Sequence, residues 1–306
     1  MIPLLFALAD TVMVPLENAD LVLVQEWGLI EISPSACLAV GAPEGPSLPL
    51  PIDPSFCVEA PVVWFQGAEF SGTFTVQTPG GHLTVTYPVP DAVETDDSGM
   101  PHTASWHLSA SALPRVDEIV EQMEESRWVP APQDMGGFGW AAGIWREVET
   151  HFLQGTETIW MERFLYYECE VEDLLGEPEG NDSDWPFSGL QVPALVFRTG
   201  PEGQPETAAC SIDGALPEGE PEYHPYDPDM LHASLCLWAS QRIPSDKLTA
   251  LVDTWEERLT TVPAGELLVL FPIPEAYYGR ISTLDLRTDQ DLTVVYKRLF
   301  LGMVAV

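Results

Sequence analysis

The chain predicts an α+β, β-rich fold: an N-terminal β-sandwich-like region followed by an αα-hairpin and closing strands. Three observations carry that prediction. Short alternating apolar runs recur between Leu21 and Ile212, and 29 prolines and 23 glycines cut the chain into pieces suited to strands and turns. Residues 159–171 (IWMERFLYYECEV) are apolar on both faces, as befits a strand covered on both sides. After Gly214 the apolar spacing lengthens to three and four residues, the helical period, before strand-like runs return at Leu267.

Residues 1–10 (MIPLLFALAD) hold a short apolar run ending in Ala7-x-Ala9, the small-residue pattern of a signal-peptide cleavage site, with no basic segment ahead of it. We read residues 1–20 as an export segment or a leading strand. Residues 21–213 form the sandwich-like domain, and 214–306 the helical hairpin with closing strands. Should the last strand return to the first sheet, the two are one domain.

Within the first part, 21–32 (LVLVQEWGLIEI) reads as a strand broken at Gly28, 37–54 as a proline-rich loop and 62–65 as a short strand. Phe74 and Val76 alternate toward the turn Thr78-Pro79-Gly80-Gly81, and Leu83, Val85 and Tyr87 alternate away from it, which predicts a hairpin. Residues 91–99 read as an acidic loop, and Trp106, Leu108 and Ala110 as one face of a strand. Pro114 opens a helix with Val116, Ile119, Val120 and Met123 on one side. Residues 135–143 (MGGFGWAAG) form a glycine-aromatic loop, and 144–152 lead by a strand into the central one. Two further strands, 192–197 and 208–212, are joined by a turn at 199–203.

In the second part Asp227 is placed to cap a helix with Pro228 at its first position, and Leu231, Leu235 and Trp238 follow at helical spacing. Ile243-Pro244 breaks it. Ser245 then caps a second helix carrying Leu248, Leu251, Val252, Trp255 and Leu259, and the pair makes an αα-hairpin. Strands at 267–271, 281–286 and 292–304 close the chain.

The charge balance narrows the partners. Against 48 acids stand 12 bases, a formal net charge of −36. Such a chain repels phosphate backbones and anionic membrane surfaces, which argues against nucleic acid. Residues 168–229 carry sixteen acids and one base, Arg198, whereas 240–306 are nearly balanced. The favoured partners are a basic protein surface, an envelope polymer or a cation. No stretch is long and apolar enough to be read as a membrane span.

Five cysteines, at 37, 57, 169, 210 and 236, show neither C-x-x-C nor zinc-like spacing. Cys37 and Cys57 flank the proline-rich loop and would close it as a disulfide, Cys169 with Cys210 is the second candidate pair, and Cys236 reads as a free thiol within a helix.

Several short phrases stand out: Glu26-Trp27-Gly28, Val62-Val63-Trp64-Phe65, Arg163-Phe164-Leu165-Tyr166-Tyr167, Thr254-Trp255, Pro272-Ile273-Pro274 and Arg298-Leu299-Phe300-Leu301-Gly302. Together they resemble a group of uncharacterised secreted bacterial proteins with E-W-G near the N-terminus, a central R-F-L-x-Y strand and an R-[LV]-F-[LV]-G ending. That group carries Arg-Gly after the aromatic pair, where this chain has Glu168-Cys169. The resemblance implies export and a shared fold. It implies no activity.

Signatures of catalysis are missing: the chain has no G-x-S-x-G, H-E-x-x-H, Walker loop or G-x-G-x-x-G. His102 and His107 flank a strand start and are the only histidines placed to meet. Hard oxygen donors for Ca²⁺ occur at Glu179, Asn181, Asp182 and Asp184, with a second cluster at Asp91, Glu94, Asp96 and Asp97, but neither follows the EF-hand pattern. Glu162, Glu168 and Glu170 supply carboxylates beside aromatic residues, the raw material of a glycosidase pair.

The sequence thus predicts a non-catalytic extracytoplasmic protein, periplasmic or secreted, that binds a macromolecular partner or serves structurally in the cell envelope. It assigns no catalytic or cofactor-binding residue. The alternatives are a secreted carboxylate-dependent hydrolase acting on glycans and a Ca²⁺-stabilised binding module.

Overall fold

Alternation along the strands sorts the apolar residues of this chain into two cores. The computed structural model describes residues 20–32, 56–111, 151–156, 161–171, 191–213, 221–240 and 242–305. In β1 (Leu21–Ile32), Val22, Val24 and Ile30 face one core while Trp27 and Leu29 face the other. Both faces of β1 are covered, hence its almost unbroken apolar sequence.

The strands that follow are β2 (Phe56–Gly67), β3 (Phe70–Gln77), β4 (Gly81–Tyr87), β5 (Ala92–Thr95), β6 (Pro101–Ser111), β7 (Phe152–Gly155), β8 (Met161–Glu162), β9 (Leu165–Val171), β10 (Gln191–Thr199), β11 (Pro205–Asp213) and β12 (His224–Pro225). Helices α1 (Pro228–Ala239) and α2 (Ser245–Thr260) come next, then β13 (Leu268–Pro272), the one-turn α3 (Tyr278–Ile281), β14 (Thr283–Thr288) and β15 (Thr293–Ala305). A nine-stranded sheet runs β12-β11-β10-β13-β15-β1-β2-β9-β4, and a second sheet runs β14-β3-β6-β7-β8 with β5 also paired to β6. The fold is α+β and β-rich.

The first core lies between the sheets, where Val24, Phe65, Tyr167 and Phe300 of the large sheet meet Phe74, Trp106 and Leu108 of the small one. The second lies under the helices: Leu231, Leu235, Leu248 and Leu251 pack on Trp64, Phe197, Leu270 and Leu299. Each such side chain removed from water contributes about 1.5–3 kcal/mol, so the doubly covered sheet is the main source of stability. Its middle pair joins the two ends of the described chain: β15 runs parallel to β1 from Leu21↔Thr293 to Ile32↔Val304. The large sheet therefore draws strands from both sides of residue 213.

Close approaches explain two glycines in this pair. A β-carbon on Gly28 would sit 2.8 Å from the Phe300 ring, and one on Gly302 would enter the Phe271 ring. β1 continues through Gly28 rather than breaking there, but its pairing with β2 is irregular at that point, between Trp27 and Leu29. The extra residue lies opposite, in β2 between Glu59 and Val62, around Pro61, which cannot donate to a ladder and suits a bulge.

Several expectations need correction. Residues 159–171 are not one strand: Met161–Glu162 belong to the small sheet and Leu165–Val171 to the large one, with Arg163-Phe164 crossing between them. The two faces are as read, Phe164 and Tyr166 under the helices and Leu165, Tyr167 and Cys169 between the sheets. The hairpin expected at 74–87 is an arch, because β3 pairs with β6 and β14 while β4 pairs with β9. Phe74, Val76 and Leu83 point into the same core from opposite sheets. Thr78 holds the corner, its hydroxyl lying 3.2 Å from the carbonyls of both Gly81 and His102.

The acidic loop at 91–99 contains strand β5, and the true hairpin is β5–β6. Asp227 caps α1, its side chain accepting from Asp229 N at 3.0 Å, but Ser245 lies inside α2 and Pro244 occupies the cap position. Cys169 and Cys210 are free. They sit six strand spacings apart, about 29 Å, far beyond the reach of a disulfide. Cys236 is also free.

The export segment at 1–10, the proline-rich loop with Cys37, the Cys57 side chain, the helix from Pro114, the loop at 135–143 and the strand expected at 144–150 lie outside the described residues. Among the described residues, no helix is long and apolar enough to cross a membrane.

Candidate functional site

Glu26 poses the first chemical problem of the fold. Its even position in β1 sends the carboxylate into the core between the sheets, where it is wholly buried. An ion there costs several kcal/mol unless paired and hydrogen-bonded. The parallel register sets Arg298 directly beside it, and Arg298 Nε donates to Glu26 Oε2. Tyr167 of β9 donates its hydroxyl to Glu26 Oε1 at 2.6 Å.

Ser282, the residue before β14, completes the arrangement. Arg298 donates from Nη1 to the Ser282 carbonyl at 2.8 Å and from Nη2 to its Oγ at 2.6 Å. Ser282 Oγ lies 2.6 Å from the Tyr167 oxygen, whose own hydrogen is committed to Glu26, so the serine is the donor. The four side chains thus form a closed ring of hydrogen bonds in which each donor has one acceptor. The Arg298 guanidinium also lies over the Phe300 ring, 4.9 Å from its centroid.

Burial works against the Arg298 charge, but Glu26 and Tyr167 outweigh it and hold the guanidinium above its usual range. Burial, then the Glu26 charge, pushes the Tyr167 phenol far up. Glu26, Tyr167 and Ser282 have essentially no exposed surface, so no substrate reaches them. The ring ties β1, β9 and β15 to the start of β14, and hence one sheet to the other.

Three of the short phrases singled out in the sequence meet here. Glu26-Trp27-Gly28 aligns with Arg298-Leu299-Phe300 residue for residue, and the last tyrosine of Arg163-Phe164-Leu165-Tyr166-Tyr167 closes on them. The sequence reading did not pair them and missed Ser282. The available signal was an acid in the middle of an apolar strand and a base at the head of another apolar run, where a buried charge requires a partner.

A second polar contact lies under the helices. Trp64 donates from Nε1 to Gln25 Oε1 at 2.9 Å, and Gln25 donates to the Arg242 carbonyl at 3.2 Å. The buried Lys247 ammonium stands 5.2 Å from the centroid of the Trp64 ring. These contacts fix the connection between α1 and α2 to the large sheet.

The acids proposed for hydrolysis are separated by the crossing at Arg163-Phe164. Glu162 belongs to the small sheet, is buried, and accepts the Tyr87 hydroxyl. Burial, then the Glu162 charge, drives that phenol well above its ordinary range. Arg163 lies over the Phe152 ring, 4.4 Å from its centroid. Glu168 and Glu170 lie on the large sheet, half-buried. Alternation puts them on one face, with α-carbons about 7 Å apart. Glu168 takes the Tyr166 hydroxyl, and Glu170 lies 3.5 Å from His82 Nε2.

Elsewhere the chemistry is structural. Asp96 Oδ1 accepts from Ser98 N at 2.8 Å, Ser98 Oγ at 2.6 Å and Met100 N at 2.9 Å, forming the β5–β6 turn. The Ser98 side-chain bond, then that from Met100, holds this carboxyl below its usual range. Asp91 Oδ2 accepts from His107 N at 2.7 Å. His102 and His107 do not meet: five residues apart in β6, they face opposite sides, and His102 Nδ1 lies 3.0 Å from the Glu94 carbonyl.

Cys236 lies one turn after His232, with its sulfur 3.8 Å from Nδ1, but burial pushes the thiol up and away from nucleophilic character. Among the described residues no three His, Cys, Asp or Glu side chains gather as a metal site. Glu179, Asn181, Asp182 and Asp184 lie outside them. Comparison with protein-family models, with curated proteins and with solved structures gave no match.

Proposed function

We propose that this chain is a non-catalytic extracytoplasmic protein that binds a basic macromolecular partner, a protein surface or an envelope polymer, through its acidic exterior. One observation carries the reading. The carboxylates around the central strand are engaged by the chain's own side chains: Glu26 by Arg298 and Tyr167, Glu162 by Tyr87, Glu168 by Tyr166 and Glu170 by His82. They serve as internal ties. Exposed acids such as Glu94 and Asp97 remain to set the field that a partner meets.

Calorimetric titration with poly-L-lysine tests this. Saturable binding that weakens steeply with salt is expected. A flat titration at low salt would remove the reading.

The placement of two half-buried carboxylates, Glu168 and Glu170, on one face of β9 favours a second reading, a carboxylate-dependent hydrolase acting on glycans. It requires glycan turnover that disappears in Glu168→Gln while the melting temperature stays unchanged. Absence of turnover in the wild-type chain would remove this second reading.

A further inference from the structure

The sheet edges are not alike: β4, which ends the large sheet, is mostly half-buried, and two other edges are shielded. β12 is two residues long and contains Pro225. β14 is plugged on its outer side, where the Tyr296 hydroxyl accepts the Leu286 N–H at 2.7 Å, and it carries Arg287. Short strands, proline, charge and side-chain plugs are the usual means by which edges avoid pairing with other chains.

β5 is short and carries Glu94, but it has no proline, no plug and no basic charge. All four of its residues are exposed, and among the described residues it pairs with β6 alone. β3 occupies the whole of one side of β6, so β5 and β7 lie end to end along the other. β7 is covered in turn by β8, whereas the matching position beyond β5 holds no described strand. Of five large apolar side chains exposed among the described residues, three belong to this stretch: Val89, Val93 and Met100.

Resting on the binding reading above, we propose that the outer edge of β5 receives an extended basic segment of the partner, which adds to the small sheet as a strand in line with β8. Main-chain hydrogen bonds would supply affinity, and alternate side chains specificity. Val93 and Glu94 point to opposite faces, so the fitting segment alternates apolar and basic residues. A second copy of this chain is disfavoured: with a net charge of −36 it would bring its own Glu94 and Asp97 against the same acids.

The test uses an eight-residue peptide alternating lysine and valine, and the same peptide N-methylated at alternate amides. The protein is compared with Val93→Lys and with Leu237→Lys, which makes the same charge change at another exposed apolar residue, on α1. Because β5 is exposed throughout, melting temperatures should match. N-methylation should weaken binding about tenfold or more, and Val93→Lys should weaken it about tenfold beyond Leu237→Lys. Binding that is indifferent to N-methylation and to the site of the lysine overturns the strand edge and leaves the acidic-surface reading standing. Absence of binding by any form overturns both.

Discussion

Arg298→Met is expected to destabilise the protein by about 3–5 kcal/mol, because it leaves the Glu26 carboxylate buried without its cation. The variant also strips the Ser282 carbonyl and hydroxyl of their donors. The double change Glu26→Leu with Arg298→Met is expected to recover most of that loss, since a buried pair and a well-packed apolar pair are often close in stability. Urea unfolding of the four forms measures the coupling between the two residues directly. Additive single losses would show that the ring is not a unit, and that the alignment of the two strands rests on packing alone.

Trp106→Ala is expected to cost a similar amount, about 3–5 kcal/mol, for a different reason. Its indole is fully buried between the sheets, 6.1 Å from the Phe74 ring centroid to centroid. It also donates from Nε1 to the Pro88 carbonyl at 2.8 Å, fastening the segment that carries the chain from β4 toward β5. Trp106→Phe keeps most of the apolar volume and loses the bond, so its expected cost is about 1–3 kcal/mol. Equal losses for the two variants would assign the whole effect to the hydrogen bond and contradict the packing account.

What the sequence makes legible is what alternation and spacing determine locally. The faces of Phe164, Tyr166, Leu165, Tyr167 and Cys169, the inward row Trp106, Leu108 and Ala110, and the cap at Asp227 all follow from period and residue chemistry. Which sheet a strand joins is a non-local matter. The turn Thr78-Pro79-Gly80-Gly81 is equally suited to a hairpin and to an arch. It became an arch because Leu83 finds the same core as Val76 from the other side. The region around Ala92–Thr95 reads as a loop because it is rich in acids, yet an exposed edge strand carries the same composition.

The polar ring was the hardest part to read. Its members are contributed by residues 26, 167, 282 and 298, and only the parallel pairing of strands some 270 positions apart brings the outer two together. The separation of Glu162 from Glu168 and Glu170 was equally hidden. A continuous strand would have kept all three on one ladder, whereas the crossing at Arg163-Phe164 divides them between sheets. Composition spoke more clearly about the partner than about the site, because net charge acts over the whole surface and needs no register.

The central claim is a division of labour: acids near the central strand hold the fold, and acids at the β5 edge meet the partner. Amide hydrogen exchange, measured with and without the lysine–valine peptide, tests it most directly. New protection confined to β5 and β6, with β4 and β9 around Glu168 and Glu170 unchanged, is the expected result. Protection centred on β4 and β9 would contradict it, and would move recognition to the carboxylates assigned here to structure.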